Sequence, residues 1–148
     1  MYKEFMQEYI DLGHMKIASL SISRPRYYIL RQPVIKEECV STKLRVVFDA
    51  SSKTSNGHSL NDILHTGPKL QQDLRDILIR WRKHKIAMTA YIEKMNRQVK
   101  LDSEYQLLHS ILWRKNKNDS IQTYELTTVT YDTAPAVFLA IRTMGQLA

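Results

Sequence analysis

The feature that most constrains the fold is a pair of segments rich in β-branched and aromatic residues. They cover residues 27–35 and 43–48, and a charged turn at residues 36–38 follows the first of them. Segments of this composition around a polar turn are typical of an antiparallel hairpin. Residues 51–57 then form a cluster of Ser, Thr, Asn and Gly without periodicity, which predicts a loop.

Apolar residues at helical spacing predict a helix before this hairpin. Tyr2, Phe5, Met6 and Tyr9 fall at i, i+3, i+4 and i+7, and Gly13 marks the end of the helix. A further helix is expected to open at Pro135 and to carry an apolar face.

A second helix is predicted directly after Gly67, because Pro68 suits the first position of a helix. An apolar stripe would run along this helix and face the core. The residues of the stripe are Leu70, Leu74, Ile77, Leu78 and Trp81.

Residues 86–92 alternate between apolar and other side chains, which predicts a strand. Ile86, Met88, Ala90 and Ile92 would face the core, and Tyr91 would face the other side. Residues 111–114 and 121–131 flank a polar turn and predict a second hairpin. The chain is therefore expected to be a single α+β domain over residues 1–148, with antiparallel hairpins and packed helices.

Charge favours a polyanionic partner, since 22 basic and 15 acidic residues give a net charge of +7. Residues 80–100 hold several cations against one acid, Glu93. Two interpretations are open: cations that complement a helix C-terminal dipole, or a footprint for a phosphate backbone. The cations are Arg80, Arg82, Lys83, Lys85, Lys94, Arg97 and Lys100.

Several functional classes are disfavoured. No apolar run approaches the roughly 20 residues that span a bilayer, and the N-terminus lacks the apolar region of a signal peptide. We therefore expect an intracellular protein without a membrane partner. Cys39 has no second cysteine, the histidines show no ligand spacing, and neither a P-loop nor a nucleophile elbow occurs.

Ordered blocks carry a family resemblance. LRVVFDAS at 44–51, SLND at 59–62, GP at 67–68 and AYIEKMNRQV at 90–99 follow one another. This succession resembles the reverse transcriptase of BEL/Pao-type LTR retrotransposons, as do YKEFMQEYIDLGHM, YYILRQPVIK, ILHTGPKL and YELTTVTYDTAPAVFLA. The resemblance implies part of a right-hand polymerase: fingers with a leading helix at about 1–85, the first part of the palm at about 86–148, and no thumb.

The family is an RNA-directed DNA polymerase, which the resemblance implies holds two Mg²⁺ ions with carboxylates. Tyr91 stands at the position of the first aspartate, and the paired-aspartate motif does not occur in the sequence. A phenol is neutral at physiological pH and its ring would fill the metal's space. Asn96 replaces the aromatic gate against ribose, and Asp132 replaces the glycine of a YGT-like segment. We expect no cofactor, no metal and no intact catalytic residue.

For nucleotide binding, the resemblance implies Arg45 along the incoming triphosphate, with Lys43, Lys36 and Asn96 as further candidates. Arg45 has an alternative role as an exposed strand cation that covers apolar surface. Asp49 and the SLND turn are expected to fix a loop by side-chain-to-backbone hydrogen bonds. The candidates for nucleic-acid binding are Arg80, Arg82, Lys83, Lys85, Arg97 and Gln98.

Three functions are open. The first is a truncated, inactive retrotransposon remnant that binds an RNA or DNA template-primer weakly. The second is a nucleic-acid-binding or host-recruited interaction module, and the third is part of a longer active polyprotein. In the resembled fold, strand 86–92 pairs with the paired-aspartate hairpin, which does not occur in this sequence. We therefore also expect one edge of the strand to be open and the chain to self-associate through it.

Overall fold

A computed structural model describes residues 1–19, 24–35 and 44–147. In these ranges the chain is an α+β protein with antiparallel sheets, as the sequence predicts, and it has two sheets and five α-helices. The elements are α1 (Tyr2–Asp11), β1 (Met15–Ile17), β2 (Leu30–Ile35), β3 (Leu44–Asp49), α2 (Leu60–Ile63), α3 (Leu74–Trp81), α4 (Ser103–Gln106), β4 (Ser110–Trp113), β5 (Gln122–Leu126) and α5 (Ala136–Leu147). Short 3₁₀ turns cover Met95–Gln98 and Leu107–His109.

Helix α1 confirms the first predicted helix. Its Met6 and Tyr9 are buried, while the opposite face meets solvent. The helix ends as predicted, because Gly13 has a φ of +68°, a left-handed conformation that favours glycine.

The first predicted hairpin is also confirmed. Strands β2 and β3 pair antiparallel, with Leu30 opposite Asp49 and Ile35 opposite Leu44. Val46 and Phe48 alternate into the core along β3. The turn between the two strands, with Lys36, Cys39 and Lys43, lies outside the described residues.

The other sheet has three strands in the order β1-β5-β4, all antiparallel. Its β4–β5 hairpin confirms the second predicted hairpin, although β5 ends at Leu126 rather than at residue 131. Beyond β5, the backbone of residues 127–129 still forms hydrogen bonds with residues 99–101. Leu101 N–H donates to Thr127 O at 2.8 Å, and Val129 N–H donates to Val99 O at 2.9 Å.

One apolar core is shared by both sheets and α1. Next to it, the Arg26 guanidinium lies 2.7 Å from Glu125 Oε1 and donates to Ser110 Oγ at 2.9 Å, so that the segment before β2 is held against β4 and β5. The buried cluster comprises Met6, Tyr9, Met15, Ile29, Val46, Phe48, Ala50, Leu60, Ile111, Trp113, Tyr124 and Leu126.

The predicted strand at residues 86–92 is wrong. The segment has neither helix nor strand, and Ile86 and Met88, expected in the core, are exposed. A strand requires a partner for its backbone N–H and C=O groups, and no other described segment pairs with this one. The expected self-association through an edge of this strand therefore loses its structural basis.

The predicted start of the second helix is also wrong. Helix α3 begins at Leu74 rather than Pro68, because the Asp73 side chain accepts from Arg75 N–H at 3.1 Å and caps the helix there. Its apolar stripe does not face the core, since Leu74 remains 67% exposed. By contrast, α5 begins directly after Pro135, as predicted.

The SLND turn forms the side-chain-to-backbone bonds predicted for it. Ser59 and Asp62 make a reciprocal capping box on α2, and Asp49 Oδ1 accepts from Ser51 N–H at 2.9 Å. Asn61 reaches further along the chain. Its Nδ2 donates to Asp132 O at 2.7 Å and its Oδ1 accepts from Ala134 N–H at 2.8 Å, which fixes the entry to α5.

Removing these two bonds tests whether Asn61 holds the start of α5. We expect Asn61→Ala to lower the free energy of unfolding by about 1–3 kcal/mol, because it removes these two bonds and a third, from Asn61 Nδ2 to Ser51 Oγ at 2.9 Å. Urea denaturation of both proteins measures the difference. Asn118→Ala, at an exposed asparagine of the β4–β5 turn, is the matched control and should leave the free energy of unfolding unchanged. Equal stability of Asn61→Ala and wild type would contradict this role.

Candidate nucleic-acid interface

The end of α3 and the turn after it carry a run of exposed cations, which we call the basic cluster: Arg80, Arg82, Lys83 and Lys85. Arg80 lies in the last helical turn and Arg82 caps it. Lys83 N–H donates to Arg80 O at 3.0 Å, so the turn keeps the cations close together.

The basic cluster has little internal charge compensation. In the described ranges, none of its four side chains forms an ion pair with a carboxylate. Arg80 donates to Asp76 O in its own helix at 3.4 Å and to Gln72 Oε1 just before the helix. The helix dipole stabilises cations at a helix C-terminus, and this leaves their N–H donors free for other partners. Arg82, Lys83 and Lys85 can therefore bind an external anion directly.

Exposed aromatic residues stand beside the basic cluster in the chain. Trp81 is 39% exposed and Tyr91 is 87% exposed, with Ile86 and Met88 exposed between them. Cations combined with accessible aromatic rings are characteristic of surfaces that bind single-stranded nucleic acid, because bases stack on the rings. Sequence reasoning identified the cations of this surface but placed Trp81, Ile86 and Met88 in the core, because the apolar stripe of α3 and the alternation at 86–92 both indicated burial.

Arg97, another predicted nucleic-acid contact, is turned inward and is 5% exposed. Its guanidinium carbon lies 4.0 Å from the centre of the Tyr9 ring, and its Nη1 lies 3.1 Å from a Glu8 carboxylate oxygen. Its Nε–H donates to His14 Nδ1 at 2.9 Å. Arg97 is thus a packing residue between α1 and the 3₁₀ turn rather than part of the exposed basic surface.

The charges around Arg97 shift the pKa values of the neighbouring Glu8 and His14. A hydrogen bond from Lys94 Nζ, 2.7 Å from Glu8 Oε1, lowers the pKa of Glu8, and the charge of Arg97 lowers it further. Burial and the charge of Arg97 lower the pKa of His14, so a neutral imidazole accepts the Arg97 proton donor. No local sequence pattern indicates this cluster, since Lys94 lies 86 residues from Glu8 and Arg97 lies 83 residues from His14.

The remaining predicted residues lie apart from the basic cluster in sequence and environment. Gln98 is exposed and donates to Glu93 O at 3.1 Å. Asn96 is buried, with an Oδ1 that has no hydrogen-bond partner in the described part of the chain. Arg45 is exposed on β3, and its guanidinium carbon lies 5.9 Å from the centre of the Tyr131 ring. Lys36 and Lys43 lie outside the described residues.

The donors in this chain do not fit the Mg²⁺ pair that the resemblance implies. At the position of the first aspartate stands the exposed phenol of Tyr91, whereas Mg²⁺ takes carboxylate and water oxygens. Within residues 1–19, 24–35 and 44–147, no three His, Cys, Asp or Glu side chains are grouped to hold a metal.

Comparison with protein-family models and with curated proteins finds no match for this chain. Among the described helices, none has both the length and the apolar character needed to cross a bilayer.

The contact of Glu8 with Arg97 leads to a prediction on stability and pH. At pH 7, Glu8→Gln should lower the free energy of unfolding by about 1–2 kcal/mol, because it leaves a buried guanidinium without its carboxylate; partial exposure of Glu8 reduces the usual cost of breaking a buried pair. The folded-state pKa of Glu8 is lowered, so its contribution is present above the unfolded value of 4.5 and is lost as pH falls through the folded value.

Urea denaturation at pH 7 and near pH 4 measures this dependence. The difference between wild type and Glu8→Gln should shrink in acid. Glu4→Gln, on the same helix, is the control, since Glu4 pairs only with the exposed N-terminus and its loss should have no measurable effect. A difference that is independent of pH would contradict the ionic role of Glu8.

Proposed function

We propose that this chain is a reverse-transcriptase-like domain, comprising fingers and the first part of a palm, that binds nucleic acid electrostatically and does not polymerise. The observation that carries the proposal is the basic cluster: four exposed cations without a carboxylate partner in the described structure, close in sequence to exposed Trp81 and Tyr91.

Contacts between the sequence blocks support the polymerase part of the proposal. Asn61 of SLND hydrogen-bonds to the backbone at Asp132 and Ala134, and Arg45 of LRVVFDAS lies near the ring of Tyr131. Three blocks that are separate in sequence thus meet around the YDT segment, as blocks of one domain should. Asp132 also has a φ of +68°, a conformation that suits the glycine of the resembled pattern.

The proposed binding is tolerant of sequence. Lysine and arginine neutralise phosphates and release the condensed counterions, which makes the affinity dependent on salt. Trp81 and Tyr91 offer ring faces on which any base can stack. The exposed segment at 86–92 lets the chain present both kinds of contact to one strand.

The proposed lack of polymerase activity follows from Tyr91. Two-metal catalysis stabilises the attacking and leaving oxygens by several kcal/mol, and loss of that term costs at least ~10³-fold in rate. A phenol at the ligand position cannot supply the negative oxygens that hold the ions.

Primer extension tests the catalytic half of the proposal. On a primed RNA template with deoxynucleoside triphosphates and Mg²⁺ or Mn²⁺, this chain should add no nucleotides. The double variant Tyr91→Asp with Asp132→Gly should not gain activity either, because one restored carboxylate still has no paired-aspartate partner in the sequence. An active reverse transcriptase in the same buffer is the positive control. Sustained extension by the purified chain would overturn the proposal.

Salt titration tests the binding half. We expect the affinity for a single-stranded oligonucleotide to fall steeply from low to physiological salt. Changing Arg80, Arg82, Lys83 and Lys85 together to Gln should reduce the magnitude of the log–log salt slope by about 3, at roughly 0.7 for each lost phosphate contact on a single strand. Fluorescence anisotropy of a labelled oligonucleotide measures both quantities.

A charge-matched pair separates the basic cluster from net charge. Arg82→Gln with Lys83→Gln removes two cations of the cluster, and Lys53→Gln with Lys69→Gln removes two exposed cations elsewhere. Only the first pair should weaken binding strongly. Equal losses for the two pairs, or an affinity that does not depend on salt, would show that the basic cluster is not the binding site.

A further inference from the structure

A second cationic feature lies between the start of α1, strand β2 and the β4–β5 hairpin. It is a cavity of about 330 Å³, which we call the cationic pocket. Four of its lining residues are basic and none is acidic: Lys3, Arg31, Arg114 and Lys115. Tyr2 and Trp113 line it as well, so the pocket combines positive charge with aromatic walls.

Arg31 is the partly buried cation of this pocket. Its Nη2 donates to Leu112 O, and its guanidinium carbon lies 5.9 Å from the centre of the Tyr2 ring. Its Nη1 is buried and has no hydrogen-bond partner in the described structure. No described carboxylate forms an ion pair with Arg31 either. A partly buried charge without a counter-charge is costly, and an anion bound in the pocket beside the guanidinium would lower that cost.

Acids close in sequence to the pocket are engaged elsewhere. Glu4 lies 2.8 Å from the N-terminal amine. In the β4–β5 turn, Asp119 Oδ2 accepts from both the backbone and the side-chain nitrogen of Asn116 at 2.9 Å. Asn116 Oδ1 accepts in turn from Lys3 Nζ at 2.7 Å, which fixes α1 against this turn. Neither Glu4 nor Asp119 forms an ion pair with a basic residue that lines the pocket.

We propose that the cationic pocket binds the phosphate groups of a phosphorylated ligand. Arg31 lines the pocket with a charge that no described carboxylate pairs, while Arg114 and Lys115 supply exposed charge at the rim. A guanidinium matches the geometry of phosphate oxygens, which favours phosphate over a simple halide. The volume is near the lower end for small-molecule sites, which suits a di- or triphosphate group. This inference uses none of the residues of the basic cluster and does not depend on the proposed function.

Fluorescence of Trp113 provides a direct readout, because this residue lines the pocket and Trp81 is the only other tryptophan in the sequence. In a Trp81→Phe background, titration with inorganic triphosphate at low salt should give a saturable change. Arg31→Gln should weaken the affinity about tenfold or more, as expected when a hydrogen bond to a charged group is lost. Arg114→Gln with Lys115→Gln should have a similar effect, and it changes only exposed side chains, so it keeps the test valid if Arg31→Gln fails to fold.

Lys53→Gln with Lys69→Gln is the matched control and should leave the affinity for triphosphate unchanged. A nucleoside triphosphate that binds more tightly than inorganic triphosphate would identify a nucleotide as the ligand. A single-stranded oligonucleotide that displaces triphosphate would identify a phosphodiester backbone instead. The absence of a saturable change, an equal response to sulfate, or equal losses in the pocket and control variants would overturn the inference. The quadruple Gln variant of the basic cluster should still bind triphosphate, which separates this result from the test of the proposed function.

Discussion

The packing of Tyr9 joins the distant parts of this chain. Its ring lies against Phe48 of β3, with ring centres 5.7 Å apart, and under the guanidinium of Arg97 at 4.0 Å. Burial raises the pKa of Tyr9 to about 12, which keeps the phenol neutral in the core. Through this one side chain, α1 connects the β2–β3 hairpin to the 3₁₀ turn Met95–Gln98. The ion pair of Arg97 with Glu8 secures the same junction.

The segment at 86–92 is exposed because it lies between two fixed points of the chain and takes part in neither. Arg97 fixes the chain from the 3₁₀ turn onward, and Asp73 determines where α3 begins. Between them, neither α3 nor the segment after it has a side chain in the buried core. A region with few buried apolar contacts opens at low free energy. Aromatic and basic side chains in such a region can adjust to a strand of nucleic acid, which a packed strand could not do.

Local sequence patterns predicted many of the helices and strands, but few of the contacts between residues that are distant in sequence. The spacing of Tyr2, Phe5, Met6 and Tyr9 was sufficient for α1, and Ser59 with Asp62 was sufficient for the SLND turn, because their partners are close in sequence. The strand at 86–92 could not be decided in this way, since alternation forms a strand only where a second strand pairs with it. Arg97 was assigned to the surface because a sequence shows its charge and not the distant Glu8 that pairs with it.

The cations of this chain divide by whether the protein itself compensates them. Arg26 has Glu125 and Arg97 has Glu8, both at ion-pair distance, so neither charge is available to a ligand without breaking the fold. The basic cluster and Arg31 have no such carboxylate in the described structure. A net charge of +7 gives only a general attraction to polyanions. Other described cations, such as Lys53 and Lys69, also lack an ion pair. The functional consequence therefore depends on where such cations are grouped, as they are at the end of α3 and in the cationic pocket.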